Sequence, residues 1–303
     1  MNASIHIEKI SKSYENVQAL KHINLDIKSG ELFGLIGPDG AGKTTLFRLL
    51  ATLLLPDEGS AKLCEIDSVS KYKKIRTFLG YMPGKFSLYQ DLSVIENLNF
   101  FATVFNTRIE DNMDMIRDIW LQIEPFKNRL AGKLSGGMKQ KLALCCALIH
   151  QPKILLLDEP TTGVDSVSRA EFWQMLKGLK KRGITIVVAT PYMDEANLCD
   201  RVALIQDGEI LQVNTPDEIV EQFGKELYAI KSNDNYQSLL DLREFKSTHS
   251  VFLFGQSLHY TDMHNKASIN ELKTYLENKG REELIIEKIK PSIEDCFMEL
   301  STK

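Results

Sequence analysis

The stretch Gly37-Pro38-Asp39-Gly40-Ala41-Gly42-Lys43-Thr44-Thr45 constrains the fold of this chain more than any other. The apolar run Leu32-Phe33-Gly34-Leu35-Ile36 before it predicts a buried strand, and Leu46-Phe47-Arg48-Leu49-Leu50 after it predicts the first turns of a helix. Strand, glycine-rich loop and helix in this order are the setting that the phosphate-binding pattern G-x-x-x-x-G-K-[ST] requires. Gly40 and Gly42 let the backbone curl so that successive N–H groups point inward at phosphate oxygens. The helix opening at about Lys43 adds its positive dipole end. Lys43 is placed to reach the β- and γ-phosphates, and the Thr44 hydroxyl to take one Mg²⁺ position. A chance glycine-rich turn is the bland alternative, and the flanking pattern argues against it. The stretch implies a nucleoside triphosphate site.

At 303 residues the chain is long enough for one large domain and a small one. A formal charge of -4 gives no global basic field to attract nucleic acid. The five cysteines, Cys64, Cys145, Cys146, Cys199 and Cys296, are odd in number and lack C-x-x-C spacing. Cys145 and Cys146, in an apolar helical run, read as small core residues rather than ligands, and a reduced, cytoplasmic setting fits the set. The opening Met1-Asn2-Ala3-Ser4-Ile5-His6-Ile7-Glu8 has neither a basic nor an apolar leader region. No stretch approaches the roughly 20 apolar residues of a membrane span, so a membrane role requires another chain to do the spanning.

Alternation predicts strands over Ser4–Ile10 and His22–Lys28, with Tyr14 between them; taken alone, Tyr14 reads as a packing residue, although its face could stack on a base. Pro56–Ser60 is a turn and Ala61–Cys64 a short strand. Ser70–Phe78 reads as a basic amphipathic helix with a solvated face. Leu79–Met82 is a strand, and a helical pattern runs from Ser93 to about Glu124, opened by a capping box of Ser93 and Glu96. Leu134-Ser135-Gly136-Gly137-Met138 opens a further helix, whose N-terminus is a second anion-binding end. Ile154-Leu155-Leu156-Leu157-Asp158-Glu159 is a buried parallel strand delivering two carboxylates at its C-terminal edge. Asp158 is placed to hold Mg²⁺ through water and Glu159 to polarise the attacking water. The competing explanation is that the two acids cap the next helix. Ser166–Lys181 is a helix, Ile184–Ala189 a buried strand, Tyr192–Leu198 a helix, and Arg201–Gln206 with Glu209–Val213 a hairpin around Asp207-Gly208.

After a short helix ending near Gly224 the chain changes character. Strand-like runs (Leu227–Lys231, Val251–Phe254, Leu284–Lys290) and helical ones (Ile269–Asn278, Ser292–Leu300) read as a small α+β appendix. His249, His259 and His264 lack the carboxylate or cysteine spacing of a metal site and read as surface or packing residues.

Taken together, residues 1–222 resemble the nucleotide-binding subunit of an ATP-binding cassette (ABC) transporter. The resemblance rests on Gly37–Thr44 (Walker A), Leu134–Met138 (the family's signature loop), Ile154–Asp158 with Glu159 (Walker B and catalytic glutamate), and Thr162-Gly163-Val164-Asp165 (the D-loop). Asp39 and the ending Pro291-Ser292-Ile293-Glu294-Asp295-Cys296-Phe297 are similar to single-domain ATPase subunits of ABC-2-type exporters. The resemblance implies an α/β P-loop NTPase of the ABC type. That type has a RecA-like core sheet, an antiparallel β subdomain and a helical insertion at about 90–150; residues 223–303 form a small accessory domain. It gives Tyr14 the adenine-stacking position, Ser135, Gly136 and Gly137 a contact to the nucleotide of a partner subunit, and Lys43 and Glu159 catalytic roles. ATP and Mg²⁺ are the implied cofactors, held at the metal by Thr44 and Asp158. Implied partners are a second ATPase subunit, identical or different, in a head-to-tail dimer, and polytopic membrane subunits met through a groove near Gly84–Asp91, with Phe86 and Tyr89 as contacts. The implied location is cytoplasmic, peripheral to the inner face of the cell membrane, and no nucleic acid is expected.

Two positions depart from the family. Gly84 stands where a glutamine usually contacts Mg²⁺ and the attacking water, and Pro191 stands where a histidine usually donates to the γ-phosphate. Glycine has no side chain, and proline lacks even its backbone N–H. Loss of such a donor costs on the order of a hundredfold in rate. The expectation is an ATPase subunit of an exporter whose own site binds ATP and turns it over slowly. Alternatives are a soluble ABC ATPase acting on nucleic acid or ribosomes, disfavoured by a single cassette without a basic run, and a non-hydrolysing nucleotide sensor.

Overall fold

The computed structural model describes residues 3–264 and 268–301. Met1 and Asn2 of the opening segment lie outside the described residues. The chain divides into two compact units, Met1–Pro216 and Asp217–Lys303.

In the first unit, β1 (Ala3–Tyr14) and β2 (Val17–Lys28) form a long antiparallel hairpin. Alternation along β2 turns Ile23, Leu25 and Ile27 into the core, and an irregularity at His22 (φ 49°) returns Leu20 to the same face. With β4 (Glu58–Leu63) and β5 (Ile66–Asp67) the hairpin makes a sheet of order β2-β1-β4-β5. The second sheet is built from β3 (Leu32–Ile36), β6 (Leu79–Met82), β7 (Ile154–Asp158), β8 (Thr185–Thr190), β9 (Arg201–Gln206) and β10 (Glu209–Asn214), in the order β10-β9-β3-β8-β7-β6. Its pairs are parallel from β9 to β6, and β3, β7 and β8 are buried along their whole length. Such strands, covered on both faces, read as continuous apolar runs in sequence.

Helices α1 (Lys43–Leu50), α2 (Tyr72–Arg76), α3 (Val94–Val104), α4 (Met113–Ile123), α5 (Gly136–Leu148) and α6 (Ser166–Lys181) complete the unit. The single helical pattern expected from Ser93 to Glu124 is broken. It becomes α3 and α4, separated where Asn106 adopts φ 53° and a 3₁₀ turn forms over Glu110–Asn112. Ser93 and Glu96 do form a capping box at α3. The basic helix is shorter than Ser70–Phe78, and Met193–Leu198 is 3₁₀ rather than α. Cys145 and Cys146 pack inside α5, where burial pushes both thiols well up.

The second unit begins within α7 (Pro216–Glu221) and runs β11 (Leu227–Lys231), α8 (Asn235–Glu244), β12 (Thr248–Phe254), β13 (Ser257–Asp262), α9 (Ile269–Asn278), β14 (Ile285–Ile289) and α10 (Ile293–Ser301). The antiparallel sheet has the order β12-β13-β11-β14, a βαββαβ arrangement of ferredoxin-like topology. Tyr228, Ile230, Leu258 and Tyr260 pack with Leu239 and Leu242 of α8 and Leu272 and Leu276 of α9. His259 falls between Leu258 and Tyr260, so it faces the other side of the sheet, where its Nδ1 lies 2.6 Å from Asp295 of α10. Among the described residues no helix is long and apolar enough to cross a membrane.

Candidate functional site

The site grows from the C-terminal ends of β3, β7 and β8, where a parallel sheet collects the loops that follow its strands. Between β3 and α1 the chain passes through Gly40 at φ +82° and Gly42 at φ +102°. A Cβ on Gly42 would sit 2.5 Å from the Ala19 carbonyl oxygen, so only glycine fits there. The loop is pinned to the sheet by Gly37 N–H donating to the Thr190 carbonyl, at 3.3 Å.

Lys43, only 3% exposed, donates from Nζ to the carbonyls of Gly37 (2.8 Å) and Pro38 (2.9 Å). Glu159 Oε1 lies 3.8 Å from the same ammonium and Asp39 Oδ1 4.0 Å. Burial lowers the Lys43 pKa, against the pull of Glu159, Asp39 and Asp158. The Thr44 hydroxyl donates to Asp158 Oδ1 at 3.2 Å. Burial raises the Asp158 pKa despite that bond. Thus the structure brings together Lys43, Thr44, Asp158 and Glu159, drawn from residues more than a third of the chain apart. A hydroxyl and a carboxylate within hydrogen-bond distance are a hard-oxygen pair of the kind Mg²⁺ uses alongside substrate phosphates. The donor set therefore fits that ion.

Glu159 adopts φ 50°, an uncommon conformation for this residue type. Its N–H donates to the Ala189 carbonyl of β8 at 2.8 Å, which holds the turn after β7 against the neighbouring strand. Strained backbone of this kind costs about 1 kcal/mol or more and clusters at functional sites.

The two departures lie in the segments that follow β6 and β8. A Cβ on Gly84 would lie 3.2 Å from the Asp158 carbonyl oxygen and 3.7 Å from Glu159 Cβ, so position 84 borders both acids. Pro191 directly follows β8, whose last residue, Thr190, accepts from Gly37. The adjacent Tyr192 is turned to α6, with the Arg169 guanidinium 4.4 Å from its ring centre. His150 is far along the fold, bonded through Nε2 to the Leu79 carbonyl.

Ser135 caps α5 by accepting from Met138 N–H at 3.4 Å. A Cβ on Gly136 would meet the Gly163 carbonyl at 3.2 Å, and one on Gly137 the Ser168 hydroxyl at 2.7 Å. The Ser135–Gly137 loop therefore packs on the D-loop and α6; among the described residues no hydrogen bond joins it to the Gly37–Thr45 loop. Tyr14 ends β1, 41% exposed, on the hairpin that carries Ala19 against Gly42.

Two further groups were not apparent from sequence. Tyr81 on β6 lies near Arg48 of α1, and its hydroxyl is pushed up to about 12 by burial and by the charge of Asp158. Glu195, 1% exposed, accepts at Oε1 from Thr161 (2.8 Å), Arg169 (2.7 Å) and Trp173 (2.9 Å). It ties the segment after β8 to Thr161, just before the D-loop, and to α6.

Beside the site, a cavity of about 770 Å³ opens between the sheet and the helical insertion. Its lining includes Met82, Phe86, Leu88, Phe101, Val104 and Phe105. Phe86 is half-buried under Lys139 (5.4 Å), and Tyr89 is 50% exposed with its ring edge-on to Phe100 (4.8 Å).

A family model for ABC transporters matches residues 20–162. The chain is 37% identical over 305 residues to the probable multidrug ABC transporter ATP-binding protein YbhF of Escherichia coli K12, covering 99% of this chain and 52% of that protein. It is 32% identical over 304 residues to the Nod factor export ATP-binding protein I of Burkholderia pseudomallei 1710b, covering 99% and 97%. The chain belongs to the ABC transporter ATP-binding family. Among solved structures, the cassette cbiO1 of Clostridium perfringens superposes with a TM-score of 0.66 at 28% identity, over 74% of this chain and 92% of that one. The dimeric cassette MJ0796 bound to ADP and Pi gives 0.63 at 29%, over 70% and 98%. The P-loop ABC fold implied by the motifs is thereby established, as is the match to export ATP-binding proteins. The chain spans about half the length of the E. coli and Shigella flexneri relatives.

Proposed function

We propose that this chain is the ATPase subunit of an ABC-2-type exporter, seated on the inner face of a cell membrane and coupled to separate polytopic subunits. Its own site binds MgATP and hydrolyses it slowly. One observation carries this reading: Lys43, Thr44, Asp158 and Glu159 converge, while Gly84, which borders both acids, and Pro191, directly after β8, carry no side-chain donor.

The P-loop N–H groups and the start of α1 cradle the triphosphate. Lys43 exchanges its bonds to the Gly37 and Pro38 carbonyls for phosphate oxygens, and the charge it meets there offsets the burial that lowers its pKa. Thr44 and Asp158 would hold Mg²⁺, which neutralises phosphate charge when bound. Glu159 orients the attacking water and accepts its proton. Tyr14 offers its exposed ring to the adenine.

A head-to-tail dimer fits the placement of Ser135–Gly137 on the D-loop surface, from which the α5 N-terminus serves a second subunit's nucleotide. The relatives named for multidrug and Nod factor export support the direction of transport. The cavity lined by Phe86 is suited to an apolar helix of the membrane subunit. ATP binding and turnover by the purified chain decide the matter. Tight binding with negligible turnover is the expected result; brisk turnover abolished by Glu159→Gln would show a self-sufficient homodimeric motor. A nucleotide sensor without hydrolysis is the second reading, favoured by the same two positions. It fails if turnover appears on adding a complete ATPase partner and disappears with this chain's Ser135→Arg.

A further inference from the structure

A basic surface of the first unit is not used by the nucleotide site. Lys71, Tyr72, Lys73, Lys74 and Arg76 follow one another around α2 with no acidic residue between them. Only Ile75 of that helix is buried, so it anchors the turn while its neighbours stay on the surface. Arg76 is held by bonds to Thr52 Oγ1 (2.9 Å) and the Thr52 carbonyl (2.7 Å), and lies 5.1 Å from the Tyr72 ring centre. The three lysines enter no ion pair among the described residues, in contrast to Lys12, Lys21 and Lys43. Around them stand exposed apolar side chains: Val69 (43%), Tyr72 (39%) and, beside the Thr52 that holds Arg76, Leu53 (58%).

We infer that this surface binds anionic lipid headgroups and sets the cassette against the bilayer. Compact ammonium charges without internal partners, an interfacial tyrosine and scattered aliphatics on a convex turn are the pattern of a peripheral membrane contact. An acidic peptide would call for a groove, and the large cavity is lined by Leu53, Arg76 and Thr77 but by none of the three lysines. Continuity supports the same occupant. The cavity proposed for the membrane subunit's helix shares Leu53 and Arg76 with the rim of this patch, so a helix docked there brings the lysines to headgroup level. The inference rests on the exporter reading for its biological setting, but it is tested without any membrane subunit.

Each lysine near an anionic surface contributes about fivefold in binding, so removing three lowers affinity on the order of a hundredfold. The full chain is sedimented with phosphatidylcholine vesicles that contain or lack phosphatidylglycerol, at low and at physiological salt. Binding to the anionic vesicles alone, weakened by salt, is expected. K71Q/K73Q/K74Q should abolish it while leaving ATP binding intact, and the charge-matched K127Q/K153Q/K181Q should retain it. Equal loss in both triple variants overturns the site, because net charge then accounts for the binding. Absence of vesicle binding, or a preference for an acidic polypeptide over anionic vesicles, overturns it as well. If vesicle binding fails while a membrane subunit still captures the chain, the exporter reading survives and this inference alone falls.

Discussion

Buried charge behaves in opposite ways at the nucleotide site and in the second unit. At the nucleotide site, burial is the largest influence on Lys43 and Asp158 and it prevails: the lysine is lowered and the aspartate raised, so each charged form is disfavoured. In the second unit, burial is again the largest single influence on Asp295 and Glu299, yet their partners together outweigh it and both are lowered. Asp295 accepts from His259 at 2.6 Å, from the Ser292 hydroxyl at 2.6 Å and from Ser292 N–H at 2.8 Å. Glu299 meets Lys225 at 2.7 Å and His249 at 3.0 Å. Charges poised against their surroundings await a ligand; charges already satisfied hold a fold. The nucleotide site is poised for a ligand, and the polar network of the second unit serves its own cohesion.

Restoring the missing donors is the sharpest way to strain this comparison. Gly84→Gln with Pro191→His should raise turnover by about a hundredfold, read as phosphate release, with ATP affinity little changed. The glutamine Cβ requires the Asp158 carbonyl to yield by a few tenths of an ångström. Unchanged turnover would mean that Gly84 and Pro191 do not limit the rate.

Stability should separate the units next. Asp295→Ala breaks a buried pair and leaves His259 facing the gap, which is expected to destabilise the second unit by about 3 kcal/mol in denaturant. Asp158→Asn relieves a disfavoured buried charge and should stabilise the first unit by up to about 1 kcal/mol, while weakening MgATP binding. Equal destabilisation by both would erase the distinction.

The smallest effect is on pH. Because folded Asp295 and Glu299 lie below their unfolded values, their contribution is present above the ordinary carboxylate range and is lost as pH falls through the folded values. Asp158 is raised, so its contribution runs the other way and declines as pH rises through its folded value. Hydrogen exchange over Ile293–Ser301 should therefore quicken as pH is lowered through the carboxylate range, after correction for intrinsic exchange. Asp295→Asn should flatten most of that dependence. A profile unaltered by the substitution would assign the acid sensitivity elsewhere.

Much of the site was legible because its parts are local. The loop from Gly37 to Thr45, the acids ending β7 and the cap at Ser135 each lie within a few residues, and the backbone conformation they need is written in their glycines, hydroxyls and apolar flanks. The strands β3, β7 and β8 were equally plain, since burial on both faces leaves an uninterrupted apolar run. Helix α8 and strand β13 escaped notice. Of α8 only Ser238, Leu239 and Leu242 are buried, too few to impose a clear period, and β13 alternates histidine and threonine with its apolar residues.

The sequence by itself determined that a phosphate loop, a pair of strand-end acids and a signature loop exist, because each is a short-range pattern. Only the tertiary structure decided that Gly84 borders those acids, that Tyr81 feels Asp158, and that Glu195 binds Thr161, just before the D-loop, to the segment after β8. Those relations arise when parallel strands distant in the chain are laid side by side. Their neighbours are chosen by the packing of whole sheets, and no local run of residues encodes that choice.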